Sequence, residues 1–140
     1  MRTKAPIARA IFAAGIALAA GTANACGFCI EDREAAVYDH EVIAAAQAQR
    51  HQVVFFAIEG ELKANGASRR ALVAALEGSG GDKRSARVAL PSASCSVAYD
   101  PARISVAQLS ARANKSLAAL GLKVGPLRQT SERDGLVAAK

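Results

Sequence analysis

Tryptophan is absent from this 140-residue chain, and two Tyr and four Phe supply all of its aromatic surface. Its basic residues form no run longer than Arg69-Arg70 or Lys83-Arg84, so there is neither a stacking platform nor a phosphate-tracking stripe, and a nucleic-acid interface is not expected. No apolar run reaches the ~20 residues that a membrane span requires. No Ser/His/Asp set, nucleotide-binding loop or carboxylate pair stands out, so hydrolase and transferase readings have no residues to rest on and no enzyme is expected. Cysteine is scarce as well, but the three that exist, Cys26, Cys29 and Cys95, are an odd number, and a purely structural set is more often even.

What is present begins with a basic stretch, Arg2, Lys4 and Arg9, followed by an apolar run over 11–20 and the small residues Ala23-Asn24-Ala25. This three-part order predicts a secretory leader over 1–25, cleaved after Ala25, and a periplasmic or secreted product. A cysteine directly after the cleavage point raises lipid attachment, but Ala23 stands where a lipobox usually has Leu, so a soluble product is favoured. Losing 25 of 140 residues leaves 115, and losing three bases lowers the net charge from +6 to +3. That is one small domain, with no transmembrane span in the mature chain.

From 30 to 49 the sequence has no Gly or Pro and is rich in Ala, Glu and Gln, which predicts one continuous helix. The segment 52–58 is apolar at nearly every position and predicts a strand covered on both faces. A loop over 59–67 then leads to a helix capped by Ser68 and stopped by the glycines after 77. Two short strands, 85–90 and 95–99, flank a turn at 91–94. A third helix over 105–120 closes at Gly121, and 122–124 forms a last strand ended by Gly125-Pro126. The tail shows no period.

The densest chemistry is Cys26-Gly27-Phe28-Cys29, two thiols at the start of a predicted helix. Thiolates suit a soft ion such as Cu(I), and two can hold it without further ligands. The same spacing also serves thiol–disulfide exchange, where a helix start lowers the thiol pKa, although such sites follow a buried strand and none precedes Cys26. A structural Cys26–Cys29 disulfide is the third reading. His40 and His51 are expected to be exposed or packing residues, and Tyr38-Asp39-His40 to be surface on the helix.

Ser96-Val97-Ala98-Tyr99-Asp100-Pro101, with the Ser105-capped helix after it, resembles the third strand and second helix of the heavy-metal-associated, copper-chaperone-like domains. Leu72-Val73-Ala74-Ala75-Leu76 is similar to that family's first helix, and Leu120-Gly121-Leu122 to the end of its second. The resemblance implies an α+β fold, a ferredoxin-like βαββαβ sandwich, here with an additional N-terminal helix. The implied organisation is a leader over 1–25, the CGFC segment and helix over 26–50, the ferredoxin-like domain over 51–128 and a flexible tail over 129–140. It also implies a metal-transporting or metal-accepting partner protein. The family's metal-binding C-x-x-C falls here on Asn65-Gly66-Ala67-Ser68, which has no thiol, so those ligands do not carry over.

The displaced CGFC suggests a replacement. A straight helix of about twenty residues is ~30 Å long, and running back along the first strand it would bring Cys26 and Cys29 to the end of the domain that holds Cys95. The expectation is therefore a Cu(I) or other soft-metal site made by Cys26 and Cys29 with Cys95 as a possible third ligand.

Overall fold

Six consecutive buried residues, 53–58, form the middle of the fold because their side chains alternate between two separate apolar layers. They belong to β1 (Gln52–Gly60), an inner strand of a four-stranded antiparallel sheet. The computed structural model describes residues 29–130, so the expected leader, Cys26 and the tail beyond Thr130 lie outside the described residues.

Two helices precede β1: α1 (Ile30–Ala35) and α2 (His40–Ala48). After β1 come α3 (Gly66–Gly78), β2 (Arg87–Ala89), β3 (Ser94–Tyr99), α4 (Val106–Leu117) and β4 (Leu122–Gln129). The sheet order is β2-β3-β1-β4, with every neighbouring pair antiparallel. The class is α+β.

Val54, Phe56 and Ile58 point into the larger layer, where they meet Leu72 and Leu76 of α3 and Leu109, Ala113 and Leu117 of α4. The four leucines are almost wholly buried. Each contributes about 1.5–3 kcal/mol by leaving water. Val53 and Phe55 point the other way and pack with Val37, Ile43, Ala46 and Ala98. The sheet is thus covered on both faces, as the unbroken apolar run of β1 demands.

Local chemistry fixes the element ends. Ser105 and Gln108 form a capping box at the start of α4. After a tighter turn over Ala118–Leu120, Gly121 adopts φ +67° and releases the chain into β4. Asn65, not Ser68, caps α3, its side chain accepting from the Ser68 amide at 2.9 Å. Asn at an N-cap competes well with Ser, so the helix starts three residues earlier than expected.

Two strands differ from expectation in length. Ser85 Oγ accepts the Ala98 N–H at 3.1 Å, which takes the place of a ladder bond and shortens β2 to three residues. β4 runs on through Pro126, because it is an edge strand where a missing N–H is tolerated. A bulge opposite Phe55 and Phe56 shifts its register, and Leu127 then packs in the smaller layer. Thr130 continues the pairing: its amide donates to the Val53 carbonyl and its Oγ1 accepts from the Val53 amide.

The continuous helix expected over 30–49 is two helices. The break lies at Tyr38-Asp39, where Asp39 turns extended and its carboxylate accepts from the Glu41 and Val42 amides, capping α2. An Asp followed by Glu two positions on begins a helix as readily as it continues one.

Candidate functional site

Cys29 is exposed and occupies the N-cap position of α1, in extended backbone (φ −63°, ψ 148°) with its carbonyl accepting from the Arg33 amide. The thiol-bearing segment is fastened to the sheet at three points. Ser96 Oγ donates to the Val37 carbonyl at 3.0 Å, inside the protein. Arg87 Nε donates to Asp39 Oδ2 at 2.7 Å. Arg128 Nη1 lies 3.6 Å from Glu34 Oε2. The Arg87 hydrogen bond, followed by the Val42 amide, holds the Asp39 carboxyl below the usual carboxylate range.

All three anchors, and the buried Val37, lie on the sheet face that carries Phe55. Ser96 is paired with Phe55 in the β1–β3 ladder, and cross-strand partners share a face. Arg128 is the partner of Phe55 on the other side.

Cys95 belongs to the opposite face. It pairs with Phe56 and Val88, is 0% exposed, and packs in the layer under α3 and α4. Burial pushes its thiol pKa up to about 12. Cys95 thus faces the layer under α3 and α4, and the segment that follows the exposed Cys29 is anchored on the other face of the sheet. The expected convergence assumed one straight helix; breaking it at Asp39 leaves pieces of nine and six residues, about 13 and 9 Å long. The alternation of β3 then sends Cys95 inward, into the layer under α3 and α4. Cys26 lies outside the described residues.

Asn65-Gly66-Ala67-Ser68 make the start of α3, closed by the Asn65 cap. His40 is exposed in the first turn of α2. His51 has a role that sequence reasoning missed. Its Nδ1 is 2.7 Å from Asp82 Oδ2, and its Nε2 is 4.0 Å from Asp100 Oδ2. The imidazole ties the turn before β1 to the loops that follow α3 and β3. With its two nitrogens facing different carboxylates, it is a brace between loops. No local pattern announces a pairing between residues 31 apart. Among the described residues, no group of three or more His, Cys, Asp or Glu side chains is arranged to hold a metal ion. No helix among them is long and apolar enough to cross a membrane.

No protein-family model, no curated protein and no solved structure matches this chain.

Proposed function

We propose that the chain is an exported carrier of Cu(I) or another soft ion, which Cys26 and Cys29 hold as a two-thiolate pair and pass to a metal-accepting protein. The observation that carries this reading is the exposure of Cys29 on a segment anchored to the sheet by Ser96, Arg87 and Arg128. An ion delivered to another protein has to be held where a second set of thiols can reach it, and linear coordination by two thiolates suits Cu(I). Cys95 is not part of the pair.

The sheet order β2-β3-β1-β4, with α3 joining β1 to β2 and α4 joining β3 to β4 on one face, supports the ferredoxin-like reading and the resemblance to heavy-metal-associated domains. On this reading α1 and α2 are an addition that covers the second face and moves the thiol pair away from the first turn of α3. Export through the leader over 1–25 belongs to the same proposal. The mass of the exported protein, starting at Cys26 without an acyl chain, checks it.

Anaerobic titration of the reduced protein with Cu(I), against a competing chelator, tests the carrier reading. Tight binding of one ion per chain, lost in Cys26→Ser/Cys29→Ser, is the expected result. Equal binding by that variant refutes it. A Cys26/Cys29 potential above about −230 mV, in the range of exchange catalysts, would move the assignment to disulfide exchange.

A further inference from the structure

The two carboxylates that His51 braces also line a cleft of about 380 Å³, together with three cations, Lys83, Arg103 and Arg112. All three cations are exposed, and none forms an ion pair among the described residues. The acids beside them are engaged elsewhere. Asp82 Oδ2 lies 2.7 Å from His51 Nδ1. Asp100 Oδ1 accepts from the Ala102 amide at 2.9 Å, and its Oδ2 is 4.0 Å from His51 Nε2.

The loops that carry Lys83 and Arg103 are fixed to the fold and to each other. The Gly81 amide donates to the Leu76 carbonyl at 3.1 Å and the Asp82 amide to the Ala98 carbonyl at 2.7 Å, so Lys83 leaves from a seated turn. The Arg103 and Ile104 amides both donate to the Asp100 carbonyl at 3.1 Å, and Ile104 is buried in the larger layer. His51 ties the two loops together through their carboxylates. Arg112 comes from α4. Lys83 also borders a neighbouring groove, where Arg69 and Arg70 stand with a single acid, Glu77. Cations outnumber acids on this side of the molecule, and the field at the cleft is positive.

From this arrangement we infer that the cleft binds the phosphate group of a small molecule or lipid headgroup, with Lys83, Arg103 and Arg112 as its donors. Cations sharing a cleft with two acids would ordinarily pair with them. Here the acids are spent on His51 and a backbone amide, so the compensating negative charge is left to a ligand. A carboxylate offers two oxygens in one plane, which a single guanidinium fills. A phosphate ester offers three free oxygens spread about phosphorus, enough for two guanidiniums and an ammonium. The cleft volume is that of a small-molecule site. The inference is independent of the metal-carrying reading, because none of its residues is a thiol.

The test adds glycerol phosphate to the isotope-labelled, metal-free protein and follows amide chemical shifts. Saturable shifts at 80–83, at 100–104 and around Arg112 are expected, weakening with added salt. Arg103→Gln combined with Arg112→Gln should weaken binding about tenfold or more, as loss of charged donors does. Both side chains are exposed, so the fold should persist. Succinate, a dicarboxylate of matching charge, should bind about tenfold more weakly than glycerol phosphate. Vesicles containing phosphatidylglycerol identify the source of the phosphate. Binding to vesicles in preference to glycerol phosphate, lost in the double variant, assigns it to a lipid headgroup, and the reverse preference assigns it to a soluble ester. No saturable binding to either probe overturns the inference. Equal binding by the double variant, succinate binding as tight as glycerol phosphate, or shifts mapping to α1 and α2 overturn it too.

Discussion

Cys95 stands directly opposite Phe56 in the β1–β3 ladder, and both side chains are 0% exposed beneath α3 and α4. Its neighbour Ser96 points the other way and holds the Val37 carbonyl. One step along a strand thus separates a core residue from an anchor of the thiol-bearing segment.

Thiol labelling should separate the cysteines. A maleimide added to the reduced native protein should modify Cys29 at the rate of an exposed thiol, and Cys95 only as fast as the protein opens. Mass-mapped labelling with and without denaturant reads this directly. Native labelling of Cys95 at a rate comparable to Cys29 would mean that the layer under α3 and α4 is not closed.

Alkaline stability should depend on Cys95. Its thiol ionises near 9.0 when unfolded and only at about 12 when buried. Between those values the unfolded chain has lost a proton that the folded chain retains, so stability falls as pH rises. The slope is on the order of 1.4 kcal/mol per pH unit, and nothing is lost below the unfolded value. Urea midpoints of the wild type and Cys95→Ala, compared at pH 8 and about pH 10.5, isolate this effect from the other titrating groups. The gap between the two proteins should narrow as pH rises.

The Asp39–Arg87 contact gives the opposite sign. The folded Asp39 carboxyl titrates below its ordinary value of 3.8, chiefly through the Arg87 hydrogen bond. Its contribution is complete above that value and disappears as pH falls through the lower, folded one. Amide exchange in α2 should accelerate over that acid window in the wild type. In Arg87→Met the acceleration should be smaller and the protection lower throughout. Equal profiles would show that the ion pair does not hold α2.

Replacing Ser96 by Ala removes the donor to a buried carbonyl and should cost about 1–3 kcal/mol. Because Val37 joins α1 to α2, the loss should appear as early proteolysis near 30–38 before global unfolding. Loss of stability without that local susceptibility would place the Ser96 contribution elsewhere.

Much of the architecture was legible because burial writes itself into sequence. The unbroken run 53–58 announced a strand covered twice, and Val53 to Ile58 are all buried. Ser105 and Gly121 announced where α4 starts and where the chain turns into β4. The helix break at Asp39 was less visible, since Tyr38-Asp39-His40-Glu41 suits a helix interior and a fresh start equally. What decides it is Arg87, a partner 48 residues away. The position of Cys95 was fixed by strand register, which no local pattern reveals until the pairing with Phe56 is known. His51 likewise needed the fold before Asp82 and Asp100 could be seen beside it.

X-ray absorption of the Cu(I)-loaded protein tests the central claim most directly, because it counts the sulfur atoms around the ion. Two sulfur neighbours, unchanged in Cys95→Ala and absent in Cys26→Ser/Cys29→Ser, is the expected result. Three sulfur neighbours falling to two in Cys95→Ala would contradict the account, since they would require Cys95 to leave the core and reach across the sheet.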